Sequence, residues 1–299
     1  MKDNNQLKAD LMLVAVTLCW GLSYVFMDIC LDYMSPFMLN TYRFCTAFVL
    51  IAILFGKRVF KVNRVTLKYA FLSAISLIIT YIGATYGVMY TTISNSGFLC
   101  ALTSVFTPII AFLFLKQKQE AKLIVAVAVC FVGIALLTLK GDFSINMDNL
   151  KGDLLCIMCA VAYATNLLTV EKGVSTEGVD AFNLGTFQLG FVGIFNLIMV
   201  SVLGHWAVAP TKTIWGAVIF LAIFSTGVAF ILQPIAQKHT TASHTGLIFA
   251  LEPVFSAIAA AVIVNERLNF QNYVGAGLLL FSIVIMELEW SNILKRVKP

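Results

Sequence analysis

Residues 97–106 read GFLCALTSVF, and residues 246–255 read GLIFALEPVF. A shift of 149 residues lays glycine on glycine, an alanine–leucine pair on an alanine–leucine pair, and a valine–phenylalanine pair on its copy. Because glycine positions align as well as aliphatic ones, chance matching of apolar sequence is a weak explanation. The spacing predicts that the chain consists of two copies of one unit, residues 1–140 and 141–299.

The composition indicates that lipid is the solvent of this chain. Of its 299 residues, 60% are hydrophobic and 12% are charged, whereas soluble domains carry about 25% charged residues. Disorder, collagen and a small disulfide scaffold are excluded by the same composition. The net charge of +5 is spread over short breaks between apolar runs, so nucleic acid is not expected as a partner.

Ten stretches are apolar enough to cross a bilayer, since a transmembrane helix needs about 20 residues to span ~30 Å. They are residues 10–31, 36–56, 67–90, 94–115, 121–139, 152–171, 181–203, 213–236, 243–264 and 271–289. Five spans per copy is an odd number, so the second copy must enter the membrane from the opposite face. The predicted fold is therefore an all-α integral membrane protein, with ten transmembrane helices arranged as two inverted five-helix repeats, as in many secondary transporters.

The basic residues of the loops predict the orientation. Fifteen of the twenty Lys and Arg residues fall on one side of the ten-span topology and four on the other. Because basic loops stay in the cytoplasm, both termini of this multi-pass chain are predicted to be cytoplasmic, in the cell (plasma) membrane.

Short motifs along nearly the whole chain resemble the EamA branch of the drug/metabolite transporter superfamily. They are Trp20-Gly21 in span 1, Arg43-Phe44 in span 2, and Glu252-Pro253 and Asn265-Glu266-Arg267 bounding span 9. The resemblance implies a ten-helix transporter with cytoplasmic termini and a cavity walled by spans 1, 3, 4, 6, 8 and 9, among relatives that mostly export amino acids, drugs and other small metabolites. The chain departs from the family at Ser104 and Gln117, where relatives carry proline and an acidic residue, and Pro108 predicts a lower kink in span 4.

Glu252 is the first candidate for proton coupling. It lies about nine residues, or ~14 Å, into span 9, near the midplane, where a charge costs about 2.5–3.5 kcal/mol. A carboxyl group at that depth can take up and release a proton; alternatively, a neutral Glu252 bonds backbone groups that Pro253 leaves free.

His244 is the second candidate because histidine titrates near physiological pH, although a solvated interfacial histidine is more common. Arg43 is expected to pair with Asp28 rather than to bind substrate.

Aromatic and polar side chains at mid-depth form the predicted substrate site, because rings with polar tips suit amphipathic solutes. The predicted substrate-binding residues are Trp20, Tyr24, Tyr81, Thr85, Asn95, Tyr163, Asn166, Gln233, Thr245 and Glu252. The alternative is ordinary packing, since a chain with 24 Phe and 9 Tyr places aromatic rings in many positions.

These features predict secondary active transport of small organic metabolites, such as amino acids, drugs or related amphipathic solutes, by an exporter that works by alternating access. An uncoupled facilitator, or an importer of a nucleoside, vitamin or amine, is the alternative, and a channel or intramembrane enzyme is disfavoured. The sequence contains neither G-x-x-x-x-G-K-[ST] nor H-E-x-x-H, so no catalytic residue, metal site or cofactor is predicted. The expected partners are the small-molecule substrate and the lipid bilayer, with the protein as a monomer or homodimer.

Overall fold

Helices are the regular secondary structure of the residues that the computed structural model describes, which are 2–91, 93–118, 120–138, 150–263 and 270–287. Over these ranges it contains thirteen α-helices, one π-helical segment and no β-strand. In chain order the elements are α1 (Lys2–Leu31), α2 (Pro36–Val59), α3 (Arg64–Tyr90), α4 (Ile93–Ala101), α5 (Thr103–Leu115), α6 (Ala121–Thr138), α7 (Leu150–Val174), α8 (Ala181–Leu203), α9 (Lys212–Phe220), the π segment (Leu221–Val228), α10 (Ala229–Gln237), α11 (Ala242–Phe249), α12 (Glu252–Ile263) and α13 (Phe270–Glu287).

The described helices follow the ten predicted spans in order. Six helical stretches are long and apolar enough to cross a membrane: Asn4–Leu31, Pro36–Val59, Arg64–Tyr90, Leu150–Val174, Ala181–Leu203 and Lys212–Gln237. Shorter apolar helices at Leu99–Leu115, Ala121–Leu136 and Tyr273–Ile285 fall on predicted spans 4, 5 and 10. α11 and α12 together cover predicted span 9. The all-α fold with ten helical spans is confirmed, and its division into inverted repeats stays a prediction.

Polar caps determine where several helices begin. The side chain of Asn63 accepts a hydrogen bond from the backbone N–H of Thr66 at 2.8 Å, ahead of α3. Asp180 caps α8 in the same way, with 2.8 Å between its Oδ1 and the N of Asn183. Each cap satisfies a donor that the first helical turn leaves without an intrahelical acceptor. The loops that hold these caps therefore set the register of the following apolar helix.

Two spans are broken, and the breaks fall at matching places in the repeated sequence. α4 and α5 are separated at Leu102, and α11 and α12 are separated at Ala250 and Leu251. Leu102 has φ/ψ of −60°/−8° and Ala250 has −63°/−9°. The lower kink expected at Pro108 is wrong, because the break lies at Leu102, where the backbone tightens to i→i+3 hydrogen bonds. Pro108 lies inside the continuous helix α5.

Glycines allow α3 and α7 to cross at close range. A Cβ atom added to Gly83 would lie 2.6 Å from the carbonyl oxygen of Leu155, and one added to Gly152 would lie 2.5 Å from the carbonyl carbon of Tyr90. Both obstacles are backbone atoms, which no rotamer change can remove. Small residues at such crossings are the usual way for helices to associate in lipid, where the hydrophobic effect does not drive them together.

Two apolar layers lie above and below the middle of the bundle. We call the end that carries the loops after α2, α5, α7 and α10 the basic end. The layer near the basic end includes Leu13, Leu77 and Leu167, and the layer near the opposite end includes Met34 and Ile214. The level between these layers holds the cavity described next.

Candidate functional site

A cavity of about 80 Å³ lies at mid-depth in the bundle. Its walls come from α1, α2, α3, α4, α5, α7, α10, α11 and α12, so both halves of the chain contribute. Five predicted substrate-binding residues line it: Trp20, Tyr24, Tyr81, Tyr163 and Glu252. At ~10–15 Å³ for each water molecule, the cavity has room for about five to eight waters, which is the size of a small metabolite.

Trp20 is the centre of an aromatic wall. Its ring centroid lies 5.5 Å from that of Tyr163, 5.5 Å from that of Phe230 and 4.7 Å from that of Phe249. Its Nε1–H donates a hydrogen bond of 2.8 Å to the carbonyl oxygen of Ser225. Edge and tilted ring contacts of this kind are attractive beyond simple burial. The indole is therefore held in one orientation and offers a rigid surface to the cavity.

The π segment supplies the polar groups behind this wall. Ser225 accepts the Trp20 hydrogen bond through its carbonyl oxygen, and its hydroxyl oxygen accepts one from Arg43 Nη2 at 3.1 Å. The hydroxyl oxygen of Thr226 accepts from Arg43 Nε, also at 3.1 Å. π-Helical turns occur frequently at functional sites. Here the turn positions two cavity side chains, one on α1 and one on α2.

Arg43 is a buried cation with neutral neighbours. Only 2% of it is exposed, and it contacts the Tyr81 ring at 5.0 Å and the Met27 sulfur at 3.8 Å in addition to the π segment. None of the three ion pairs among the described residues involves it. The expected pairing with Asp28 is wrong: Asp28 is exposed, whereas the guanidinium turns inward toward hydroxyl groups. A buried charge needs compensation, so an anionic group that enters the cavity would find a partner here.

Glu252 brings the opposite charge to the same cavity. It is the first residue of α12, about 15 Å along the span from Ala242 at 1.5 Å per residue, and the residue is partly exposed. Tyr24 on α1 lines the same cavity as this carboxyl group. Pro253 occupies the first turn of α12, where its missing N–H removes no intrahelical bond. The carboxyl group is therefore held at the break between α11 and α12, facing the cavity.

Asn166 and Gln233 lie beside the cavity and not on its surface. Both are fully buried. Tyr163 donates its hydroxyl hydrogen to Gln233 Oε1 at 3.0 Å, and Gln233 Nε2 donates to Asn166 Oδ1 at 3.4 Å. Asn166 in turn donates to the carbonyl oxygen of Ser73 at 2.9 Å. These amides orient Tyr163, and their own hydrogen bonds are used within the protein.

Thr85 and Thr245 also lie outside the cavity lining. Both are fully buried; Thr85 accepts a hydrogen bond from Asn40 at 3.3 Å, and Thr245 donates to the carbonyl oxygen of Thr241 at 2.9 Å. Neither side chain reaches the cavity: Thr245 lies in the first turn of α11, next to His244, and Thr85 packs against α2 through Asn40. The backbone of Asn95 belongs to α4, and its side chain lies outside the described residues.

His244 is placed at the basic end, in the first turn of α11. Its Nε2 lies 3.1 Å from Asp10 Oδ1, and Gln6 donates to the same oxygen at 2.9 Å. The eight residues between His244 and Glu252 correspond to roughly 12 Å of helix. The histidine therefore joins the starts of α1 and α11 and is separated from the cavity.

The cavity has twelve further lining residues that the sequence analysis did not predict as substrate-binding. They are Ser23, Met27, Arg43, Thr80, Ala84, Cys100, Ala101, Thr103, Cys159, Phe230, Gly246 and Phe249. Phe230 and Phe249 were detectable in principle, as aromatic residues at the same depth as Trp20. The small residues carry no chemical signal, and only their position next to the aromatic wall places them in the site.

Comparisons with known proteins agree with this architecture. The model of the EamA-like transporter family matches the chain twice, over residues 7–139 and 150–288. An uncharacterized transporter of Archaeoglobus fulgidus is 30% identical over 95% of this chain and 87% of its own length. The uncharacterized transporter YyaM of Bacillus subtilis is 24% identical over 92% of each chain.

A solved crystal structure matches the fold with a TM-score of 0.77, over 98% of this chain and 99% of the other, at 16% sequence identity. At that identity the likeness concerns the fold alone. Family membership is shown by the two matches of the family model, which together cover most of the chain. The chain is thus a multi-pass membrane protein that belongs to the EamA-like transporter family.

Proposed function

We propose that this protein is a secondary active exporter of small organic metabolites, with amino acids as the favoured substrates. The observation that carries the proposal is the mid-depth cavity, whose walls come from both family-matched segments and which is lined by Arg43 and Glu252. A channel needs a continuous path, whereas a carrier needs a central site between two parts that move against each other. The cavity supports the carrier.

The packing of the helices supports two inverted repeats. α1 packs on α11 and α12, and α7 packs on α4 and α5, so the first helix of each unit lies against the broken fourth span of the other. α2 packs on α8 and α6 on α13, which are equivalent helices of the two units. Both breaks border the cavity, through Ala101 and Thr103 on one side and Phe249 and Glu252 on the other. Broken helices at a repeat interface are typical of alternating-access transporters.

The charge of the loops supports cytoplasmic termini in the plasma membrane. Lysine and arginine are concentrated at the basic end, and basic loops are retained in the cytoplasm. In this orientation Asp10 and His244 tie α1 to α11 on the cytoplasmic side of the cavity. That contact has to open when the site is loaded from the cytoplasm.

The charges of the cavity favour a zwitterionic substrate. Arg43 is a buried cation among neutral groups, which suits a carboxylate, and Glu252 suits an ammonium group. The aromatic wall around Trp20 accepts a small apolar side chain and provides ring faces for cation–π contact. A volume of about 80 Å³ favours small amino acids over large drugs.

Glu252 also offers a route to proton coupling. Exposed to the cavity alongside Tyr24, the carboxyl group binds either a proton or the ammonium group of the substrate. Release of the substrate outside leaves the carboxylate free to accept a proton from that side. Return of the empty carrier and loss of this proton to the cytoplasm complete an exchange of one substrate out for one proton in.

Counterflow in proteoliposomes tests the proposal. Vesicles preloaded with unlabelled alanine, serine or threonine should accelerate the uptake of the labelled amino acid, because a carrier returns loaded faster than it returns empty. Arg43→Gln should weaken competition by each amino acid at least tenfold but leave competition by its amide, which lacks the carboxylate, nearly unchanged. Arg58→Gln, which removes an exposed arginine from the same helix, is the matched control and should keep the wild-type preference.

Three results would contradict parts of the proposal. Uptake that preloading does not accelerate, for any amino acid of the panel, would favour a channel or a different substrate class. An Arg43→Gln variant that stays folded and still discriminates amino acids from their amides would remove Arg43 from substrate recognition. Export that persists in vesicles without a proton gradient would favour an uncoupled facilitator.

A further inference from the structure

A second cavity opens on the outer surface of the bundle, between α5 and α6. This α5/α6 groove has a volume of about 640 Å³. Its ten lining residues are all apolar: Val105, Pro108, Ile109, Phe112 and Leu113 on α5, and Leu123, Ile124, Val127, Ala128 and Phe131 on α6. It is distinct from the mid-depth cavity and shares no lining residue with it.

The groove exists because its two helices pack in different directions. α5 packs chiefly on α7 and α11, whereas α6 packs chiefly on α13. Pro108 and Leu123 are buried at the floor, and Phe112, Leu113 and Ile124 form rims that are more than half exposed. A concave apolar surface of this size is unusual on a protein in water, but in a bilayer it faces hydrocarbon.

The length of the groove matches one leaflet. Eight residues separate Val105 from Leu113, and eight separate Leu123 from Phe131, so each wall is about 12 Å long at 1.5 Å per residue. Half of a ~30 Å hydrocarbon core is about 15 Å. A single acyl chain aligned with α5 and α6 fills such a slot, whereas a water-soluble ligand would leave its polar groups without partners.

The mouth of the groove is basic. Lys116 and Lys118 are exposed just beyond the end of α5, three and five residues after Leu113. Lys122 lies in the first turn of α6, with its Nζ 3.5 Å from the carboxylate of Glu120. Even with that ion pair counted, the segment between the two helices keeps a net positive charge of about two, which complements an anionic headgroup.

We propose that the α5/α6 groove binds one anionic phospholipid, with an acyl chain between the two helices and the phosphate beside Lys116 and Lys118. Charge complementarity selects this occupant over a second copy of the chain. In a twofold dimer built through this face, each lysine cluster would meet its own copy, and like charges would oppose each other. The basic end also faces the cytoplasmic leaflet in the proposed orientation, where anionic lipids are concentrated.

Native mass spectrometry of the detergent-purified protein tests the site. Titration with palmitoyl-oleoyl-phosphatidylglycerol should give one tightly bound lipid per chain, and the zwitterionic phosphatidylcholine should bind more weakly. Replacing Lys116 and Lys118 together with glutamine should weaken phosphatidylglycerol binding about 30-fold, the value for two charges at the surface, with little change for phosphatidylcholine. Lys57→Gln combined with Lys61→Gln removes two exposed lysines from the same end and should leave both affinities unchanged.

A second pair of variants tests the apolar slot. Ala128→Phe places a ring in the groove and should abolish the tight site for both lipids, whereas Ala15→Phe adds the same ring at an exposed position on α1 and should not. Equal lipid binding in Ala128→Phe, Ala15→Phe and the wild type would overturn the proposal. A dimer that is lost specifically in Ala128→Phe would overturn it as well, because a second copy would then be the occupant. Thermal unfolding of each variant shows whether it is folded.

Discussion

Gly21 lies where α1 crosses α12 beside the cavity, and one added methyl group should push the two helices apart. A Cβ on Gly21 would lie 2.5 Å from the Phe255 Cβ and 2.9 Å from the backbone nitrogen of Ser256, whereas carbon atoms pack at about 3.5–4.0 Å. Neither obstacle can rotate away, so the crossing must widen by about 1 Å. Tyr24 is one turn from Gly21, so its distance from Glu252 across the cavity should increase as well.

The cost follows from these distances. Overpacking of this kind destabilises by about 1–3 kcal/mol, and the better helix propensity of alanine returns at most about 1 kcal/mol. Gly21→Ala should therefore lower the free energy of unfolding by up to about 2 kcal/mol, or the apparent Tm by roughly 2–8 °C. It should also slow counterflow, because the contact between α1 and α12 carries Tyr24 and Glu252.

Thermal denaturation of the detergent-purified protein, followed by size-exclusion chromatography, measures this change. Gly216→Ala is the matched control, because a Cβ at this position in α9 meets nothing within 4 Å. It should raise stability by about 0.5–1 kcal/mol through helix propensity alone. If Gly21→Ala were as stable as Gly216→Ala, the inferred close crossing of α1 and α12 would be refuted.

Three further predictions concern the ends of the bundle and the cavity. Asp180→Ala should destabilise the protein by about 1 kcal/mol at pH 7 through loss of the α8 cap. Burial acts to raise the pKa of Asp180, but hydrogen bonds from Arg58 and backbone N–H groups hold it below its usual value, so this stabilisation is present above about pH 4 and is lost as the pH falls. Thermal melts of the wild type and the variant should therefore differ at pH 7 and converge at pH 3. Phe60→Cys should react with an impermeant maleimide only from the cytoplasm and Trp206→Cys only from outside, relative to the unsubstituted protein, and the reverse labelling would contradict the orientation. Glu252→Gln should abolish uptake driven by a pH gradient and also weaken counterflow, because the same carboxyl group holds the ammonium group of the substrate, and unchanged gradient-driven transport would exclude proton carriage by this residue.

For much of the candidate site, the position of each residue along its helix could be predicted from the sequence. Trp20, Tyr24, Tyr81, Tyr163 and Glu252 were expected at mid-membrane, and all five line one cavity. Residue count along a helix gives depth directly, because every residue adds 1.5 Å whatever its neighbours are. Polar and ionisable groups at such depths are costly in lipid, so their presence already indicated an interior surface.

The partners of these residues were not predictable. Arg43 was expected to reach Asp28, close to it in sequence, but it bonds Ser225 and Thr226 about 180 residues away. Gln233 was expected at the substrate site, and in the structure it accepts a hydrogen bond from Tyr163. In each case the partner is presented by a local distortion or a helix rotation that no periodicity in the sequence encodes.

The sequence alone determined the number and order of the helices, because the length of an apolar stretch is a local property and must match the thickness of the bilayer. Spans 4 and 9 are both broken within the repeated segments 97–106 and 246–255, which the repeat itself did not predict. Only the tertiary structure decided which side of each helix faces the cavity. That choice depends on packing between helices far apart in the chain, such as α1 on α12 and α2 on the π segment. Several rotations of each helix about its axis would bury equally apolar faces. Close backbone contacts at glycines and the hydrogen bonds of the buried arginine select one of them.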